Sequence, residues 1–179
     1  MAHEFTIESA VFGAVTAAVG WFAGYVLTGW REDRTKRLQL EIERASSQIK
    51  EFYAPLMALT DQLDTTVDAV LVRAAKGKEG ADYHKLAGLI YNRFFLPIHE
   101  EINAILKSKI HLHEGAIPPP SFTDYFAHYV AEKAYWKLSE LGEDVSRMEI
   151  PGYPASFYYD VRSGYAEVVN HRRGVCGAA

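Results

Sequence analysis

Ser9-Ala-Val-Phe-Gly-Ala-Val-Thr-Ala-Ala-Val-Gly-Trp-Phe-Ala-Gly-Tyr-Val-Leu-Thr-Gly-Trp30 is a run of 22 residues without a single charge. As a helix it reaches about 33 Å, enough for a hydrocarbon core of about 30 Å. Five alanines and four glycines dilute it, so a buried helix of a globular domain is the competing reading. Its length, its lack of charge and the gathering of Trp21, Tyr25 and Trp30 toward one end, where an interfacial aromatic belt belongs, favour a span. The sequence predicts a single transmembrane helix over 9–30.

The flanks set the orientation. His3, Glu4 and Glu8 precede the run with no Lys or Arg, whereas Arg31, Arg34, Lys36 and Arg37 follow it. The positive-inside rule therefore puts residues 1–8 outside the cell (inner) membrane and the rest of the chain in the cytoplasm, as a helical bundle over 31–171 and a flexible tail over 172–179. A cleaved signal peptide needs its basic residues on the other side. Within the run, Gly20 and Gly24, with Gly13 and Ala17 before them, place small residues at the spacing that lets a second membrane helix approach closely. Ordinary lipid-facing composition accounts for the same residues.

Beyond the basic flank, Leu38, Ile42, Ala45, Ile49, Phe52, Leu56, Leu59 and Leu63 repeat at alternating steps of four and three. That is one apolar face of a long helix continuing the span, which packs either on later helices of the chain or on a copy of itself. Pro55 interrupts this seam, removes a backbone donor and predicts a kink near Ala54. Phe52-Tyr53-Ala54-Pro55-Leu56 is echoed by Phe94-Phe95-Leu96-Pro97-Ile98, so two antiparallel helices bent at matching heights are expected, by duplication or by coincidence in an aromatic-rich chain.

Further helices follow the same logic. One is expected from about Tyr83 to His113, with Leu86, Ile90, Phe94, Ile98, Ile102, Ile105 and Leu106 on its inner side, stopped by Gly115 and Pro118 to Pro120. Ser121 is placed to cap a third that turns Phe122, Phe126 and Tyr129 inward and ends near Leu141. After a loop with Pro151 and Pro154, a last helix carries Phe157, Val161, Tyr165 and Val168. No segment alternates as a strand. The fold class read from the sequence is all-α: a transmembrane helix and an antiparallel bundle of about four helices with a long, proline-kinked first member.

Composition narrows the function. The 179 residues are 49% hydrophobic, which suits a globular core, and their net charge of −4 argues against a duplex nucleic-acid partner. The one cysteine, Cys176, excludes a disulfide framework and a Cys-based metal site; at the fourth position from the end it lacks the aliphatic neighbours of a prenylation signal. Among seven histidines, His111 and His113, with His99 and Glu100 or Glu101 on the same helix, are the candidate metal ligands, although cations before Gly115 also complement a helix C-terminus. His128 and Glu132, one turn apart, read as a surface pair. Neither Glu-x-x-His nor His-Glu-x-x-His occurs, and no nucleophile or phosphate loop stands out, so no catalytic residue and no cofactor is expected.

The resulting expectation is a non-enzymatic, single-pass membrane-anchored interaction module, an accessory subunit or scaffold that meets a protein partner or its own copy through the span and the seam. The alternative is a membrane-tethered sensor or effector, ligand- or metal-responsive, in which the helices around Pro55 and Pro97 enclose an aromatic pocket.

Overall fold

A computed structural model describes residues 7–74, 76–77, 79–115 and 117–177, apart from the side chains of 7–15, 23 and 81. Among them every regular element is helical. One rod comprises α1 (Ile7–Ser47), a π-helical turn (Gln48–Tyr53), α2 (Ala54–Thr66) and a second π turn (Val67–Val72). The chain returns through α3 (Gly80–Ile90), a π turn (Tyr91–Phe95) and α4 (Leu96–Lys109), closed by a 3-10 turn (Ile110–Leu112). Then come α5 (Pro120–Glu140) and α6 (Ala155–Gly177). The first rod packs on the return rod and on α6, and α5 packs on α4 and α6, which gives a four-membered bundle.

The prolines explain two of the π turns. In α geometry the Pro55 ring would strike the carbonyl four residues back. The chain widens just before it, and the Ala54 N–H bonds the Ile49 carbonyl five residues back. Pro97 is met in the same way, with the Leu96 N–H on the Tyr91 carbonyl. At the position where a kink is expected, near Ala54, the chain forms a wide turn that spreads the misfit over several residues. The two turns are not at matching heights. Lys109 Nζ reaches Glu51 at 2.6 Å and Gln48 Nε2 donates to the Leu112 carbonyl at 2.9 Å, so the first lies opposite the end of α4. The second packs against α2.

The same widening corrects the inner face of the return rod. Phe94, expected inside, is 46% exposed, while Tyr91 and Phe95 are buried. A π turn takes more residues per turn than the 3.6 on which that expectation rests.

The seam packs within the chain. Ala45, Phe52, Leu56, Leu59 and Leu63 are buried, and Leu38, Ile42 and Ile49 are half-buried. Aromatic contacts join them to the third and fourth helices: Phe52 lies 6.2 Å from Phe122, Phe122 5.3 Å from Phe157, and Tyr125 stacks on Phe157 at 4.4 Å. Gly164 of α6 is buried against Tyr53, whose hydroxyl lies only 2.7 Å from the position a Cβ would take. Ser121 does not cap α5; Pro119 stands at that position, and the buried Ser121 hydroxyl donates to Asp160 at 2.6 Å. Gly142 (φ +79°) ends α5 in a left-handed cap, with Gly142 N–H on Ser139 and Glu143 N–H on Leu138. The helix α6 continues through Arg172 and Arg173 to Gly177, past the expected end.

Before Leu38 the first helix leaves the bundle. Its described side chains from 16 to 37 are exposed, including Val19, Trp21, Phe22, Tyr25, Val26, Leu27 and Trp30. Among the described residues no helix is long and apolar enough to cross a membrane. Residues 16–30 alone make about 22 Å of helix, short of the hydrocarbon thickness. Residues 9–15 of the expected span, Gly13 included, lie outside the residues whose side chains are described.

A candidate histidine–carboxylate site in an aromatic cavity

At the end of the bundle away from this arm, a cavity of about 810 Å³ opens between α2, α3, α5, the start of α6 and the connection before it. Its size falls within the range of small-molecule sites. Tyr91, Phe95, Trp136, Tyr153 and Tyr158 supply aromatic walls, and His84, His99, His128 and Glu132 supply polar groups. Trp136 stacks on Tyr91 with ring centroids 5.7 Å apart and rests on Gly88, where a Cβ would stand 3.0 Å from the indole. Glycine at 88 therefore lets the indole lie against the α3 backbone.

Two helices bring the polar groups together. After the π turn, the inner face of α4 carries Ile98, His99 and Ile102; that of α5 carries Tyr125, His128 and Tyr129, with Glu132 one turn beyond His128. His99 and His128 are 2% and 8% exposed. Their Nδ1 atoms are engaged away from each other: that of His99 is 2.8 Å from the Tyr125 hydroxyl, and that of His128 is 2.7 Å from the Pro151 carbonyl. A carbonyl only accepts, so His128 Nδ1 carries a proton. The two Nε2 atoms converge on Glu132 Oε2, at 3.6 Å from His99 and 3.3 Å from His128. Glu132 Oε2 is buried and hydrogen-bonds to nothing in the protein, as is the Tyr91 hydroxyl.

Electrostatics separates the two histidines. Burial lowers the His99 pKa to about 4 against the pull of the Glu132 carboxylate. Burial also acts to lower His128, but the Glu132 carboxylate 3.3 Å away and the hydrogen bond to the Pro151 carbonyl outweigh it and leave the pKa raised. Desolvation raises Tyr91, Tyr125 and Tyr153 above the ordinary phenol range, so all three stay neutral hydrogen-bonding groups at pH 7.

The sequence-derived candidate set is not assembled. His99 begins α4 and His113 lies beyond its end, about 21 Å away along the helix. His111 is exposed; His113 accepts the Gly115 N–H at 2.9 Å and packs 5.7 Å from Phe122, closing the turn after the helix. Glu100 pairs with Lys133 at 2.7 Å, and Glu101 is exposed on the outside. The pair expected on the surface, His128 and Glu132, is instead the half of the cluster contributed by α5. His-x-x-x-Glu puts both groups on one face, but only the packing of α5 on α4 shows that His99 completes the set. Cys176 is an exposed free thiol. Ala17, Gly20 and Gly24 are exposed on the arm, with nothing within 4 Å of a Cβ built at either glycine.

Comparison with protein-family models, with curated proteins and with solved structures finds no match to this chain.

Proposed function

We propose that this protein is a membrane-tethered binding bundle: residues 9–30 hold it in the cell (inner) membrane, N-terminus outside, and the aromatic cavity receives a small ligand. The observation that carries this reading is the meeting of buried His99, His128 and Glu132 at the wall of a cavity otherwise lined by aromatic rings, since convergent polar groups in an apolar pocket are what fix a ligand's orientation. The tether rests on the arm. Its apolar side chains face outward all round the helix, and a bilayer is the surroundings that suit such a helix.

The test uses the full chain in mild detergent and 4-fluorobenzamide, a small neutral aromatic amide, as the probe. Its fluorine resonance should broaden on adding the protein and sharpen again when Ala155, at the cavity wall, is changed to Trp. No broadening, or broadening indifferent to Ala155→Trp, would overturn the reading.

A second reading, that the protein is an accessory subunit or scaffold, is favoured by the small-residue stripe of Ala17, Gly20 and Gly24, which faces outward with nothing packed on it. In that case a partner's membrane helix lies along the stripe.

A further inference from the structure

We infer that His99, His128 and Glu132 form a binding site for one divalent transition metal of the zinc class, with its open coordination position turned to the aromatic cavity. The inference deepens the cavity reading and rests on it.

The three side chains are spaced as metal ligands are. His128 Nδ1 donates to the Pro151 carbonyl, which leaves Nε2 as the ring atom turned to the Glu132 carboxylate. His99 Nε2 faces the same oxygen, and all three ligand atoms lie within 4.8 Å of one another. A tetrahedral ion with bonds of about 2.0–2.2 Å holds its ligand atoms about 3.3–3.6 Å apart. The two carboxylate–imidazole separations are 3.3 and 3.6 Å.

The surroundings are also those of a metal site. Each ligating imidazole has its far nitrogen held by a fixed partner, the Pro151 carbonyl or the Tyr125 hydroxyl, which orients the ring. Two histidines and one carboxylate satisfy three positions of a four-coordinate ion and leave the fourth for water or a ligand atom, the pattern of open rather than closed zinc sites. The buried, unpartnered Tyr91 hydroxyl, whose ring centroid is 6.4 Å from that of His99, is available to hydrogen-bond to whatever occupies that position.

The experiment uses the full chain in mild detergent, stripped with a chelator and titrated with zinc chloride, then with cobalt chloride for its visible spectrum. One equivalent of zinc per chain should survive desalting and raise the melting temperature, and cobalt should give the intense visible bands of a tetrahedral site. Glu132→Gln and His128→Gln, which keep near-native bulk, should each weaken zinc binding by more than about 100-fold while circular dichroism stays wild-type. The His111→Ala/His113→Ala double variant should bind as wild type. Retention of less than a tenth of an equivalent, or zinc binding unchanged in both Gln variants, would overturn the proposal. Where zinc is not retained, 4-fluorobenzamide that still broadens with the Ala155→Trp sensitivity leaves the cavity reading standing while the metal site falls; loss of both removes the two together.

Discussion

The Tyr53 hydroxyl occupies the space that a side chain at Gly164 would need, 2.7 Å from the position of a Cβ there. Both residues are buried, and Tyr53 is further fixed by accepting the Glu114 N–H at 3.1 Å. The aromatic cannot swing aside without opening the contact between the first π turn and α6. Gly164→Ala should therefore destabilise the bundle by about 1–3 kcal/mol, read as a lower urea midpoint. The penalty should shrink in a Tyr53→Leu background, and equal costs in both backgrounds would show that the ring does not set the limit.

The wide turn before Pro55 is held by its neighbours as well as by the proline. Phe52, Tyr53 and Leu56 are all fully buried around it. Pro55→Ala should accordingly change stability by less than about 1 kcal/mol, because the packed side chains keep the turn open. Deleting the exposed Glu51 should be far worse. It removes one residue from the turn and rotates everything upstream, carrying Ala45 and Gln48 out of the core. Circular dichroism with thermal melts of the two variants decides it, and equal damage would refute the account.

In the metal-free protein His99 imposes a pH dependence of known sign. Burial lowers its pKa in the folded chain to about 4, so between that value and the ordinary 6.5 the unfolded chain binds a proton that the folded chain refuses. Stability from this group is present above pH 6.5 and lost as the pH falls toward 4, by about 3 kcal/mol at most. His128 acts in the opposite sense, its raised pKa contributing stability below 6.5 that is lost as the pH rises through the folded value. The difference in unfolding free energy between wild type and His99→Asn, followed from pH 7.5 to 4 in chelator, isolates the His99 part. A flat difference would show that His99 is hydrated in the folded state.

The arm and the bundle should respond separately to mutation. Val19 and Val26 are exposed and belong to the part of α1 that leaves the bundle. Changing both to Asp should release the chain from membranes in carbonate extraction while leaving the bundle's melting temperature within about 2 °C of wild type. Gly20→Leu with Gly24→Leu should keep the membrane fraction and lower recovery of any co-purifying membrane protein. Wild-type recovery in that variant would assign the stripe to lipid.

Much of the bundle is legible in the sequence because its signals are periodic. The seam from Leu38 to Leu63 lies on the inner side, and Phe157, Val161 and Val168 are buried at the spacing that marks α6. Where the period changes, the reading slips: the π turn ahead of Pro97 turns Phe94 out and Phe95 in. The site was hidden for a different reason. His99 and His128 are 29 positions apart, on different helices, and nothing local in either segment marks the meeting of α4 and α5. Histidines that crowd one stretch, His111 and His113, are conspicuous in a sequence without being close to the third.

The unbroken first rod fixes a distance. From Trp30 to Leu63, which lines the cavity, the helical path is about 50 Å, and the cavity lies at the end of the bundle remote from the arm. With the arm in a bilayer as proposed and the rod along its normal, the cavity would stand clear of the headgroup layer and beyond several Debye lengths of its surface charge. In that arrangement whatever enters it would come from the aqueous phase, at its bulk concentration and unaffected by the membrane potential. The rod in that arrangement is a standoff: it keeps the protein at the membrane while its cavity samples the solution beyond it.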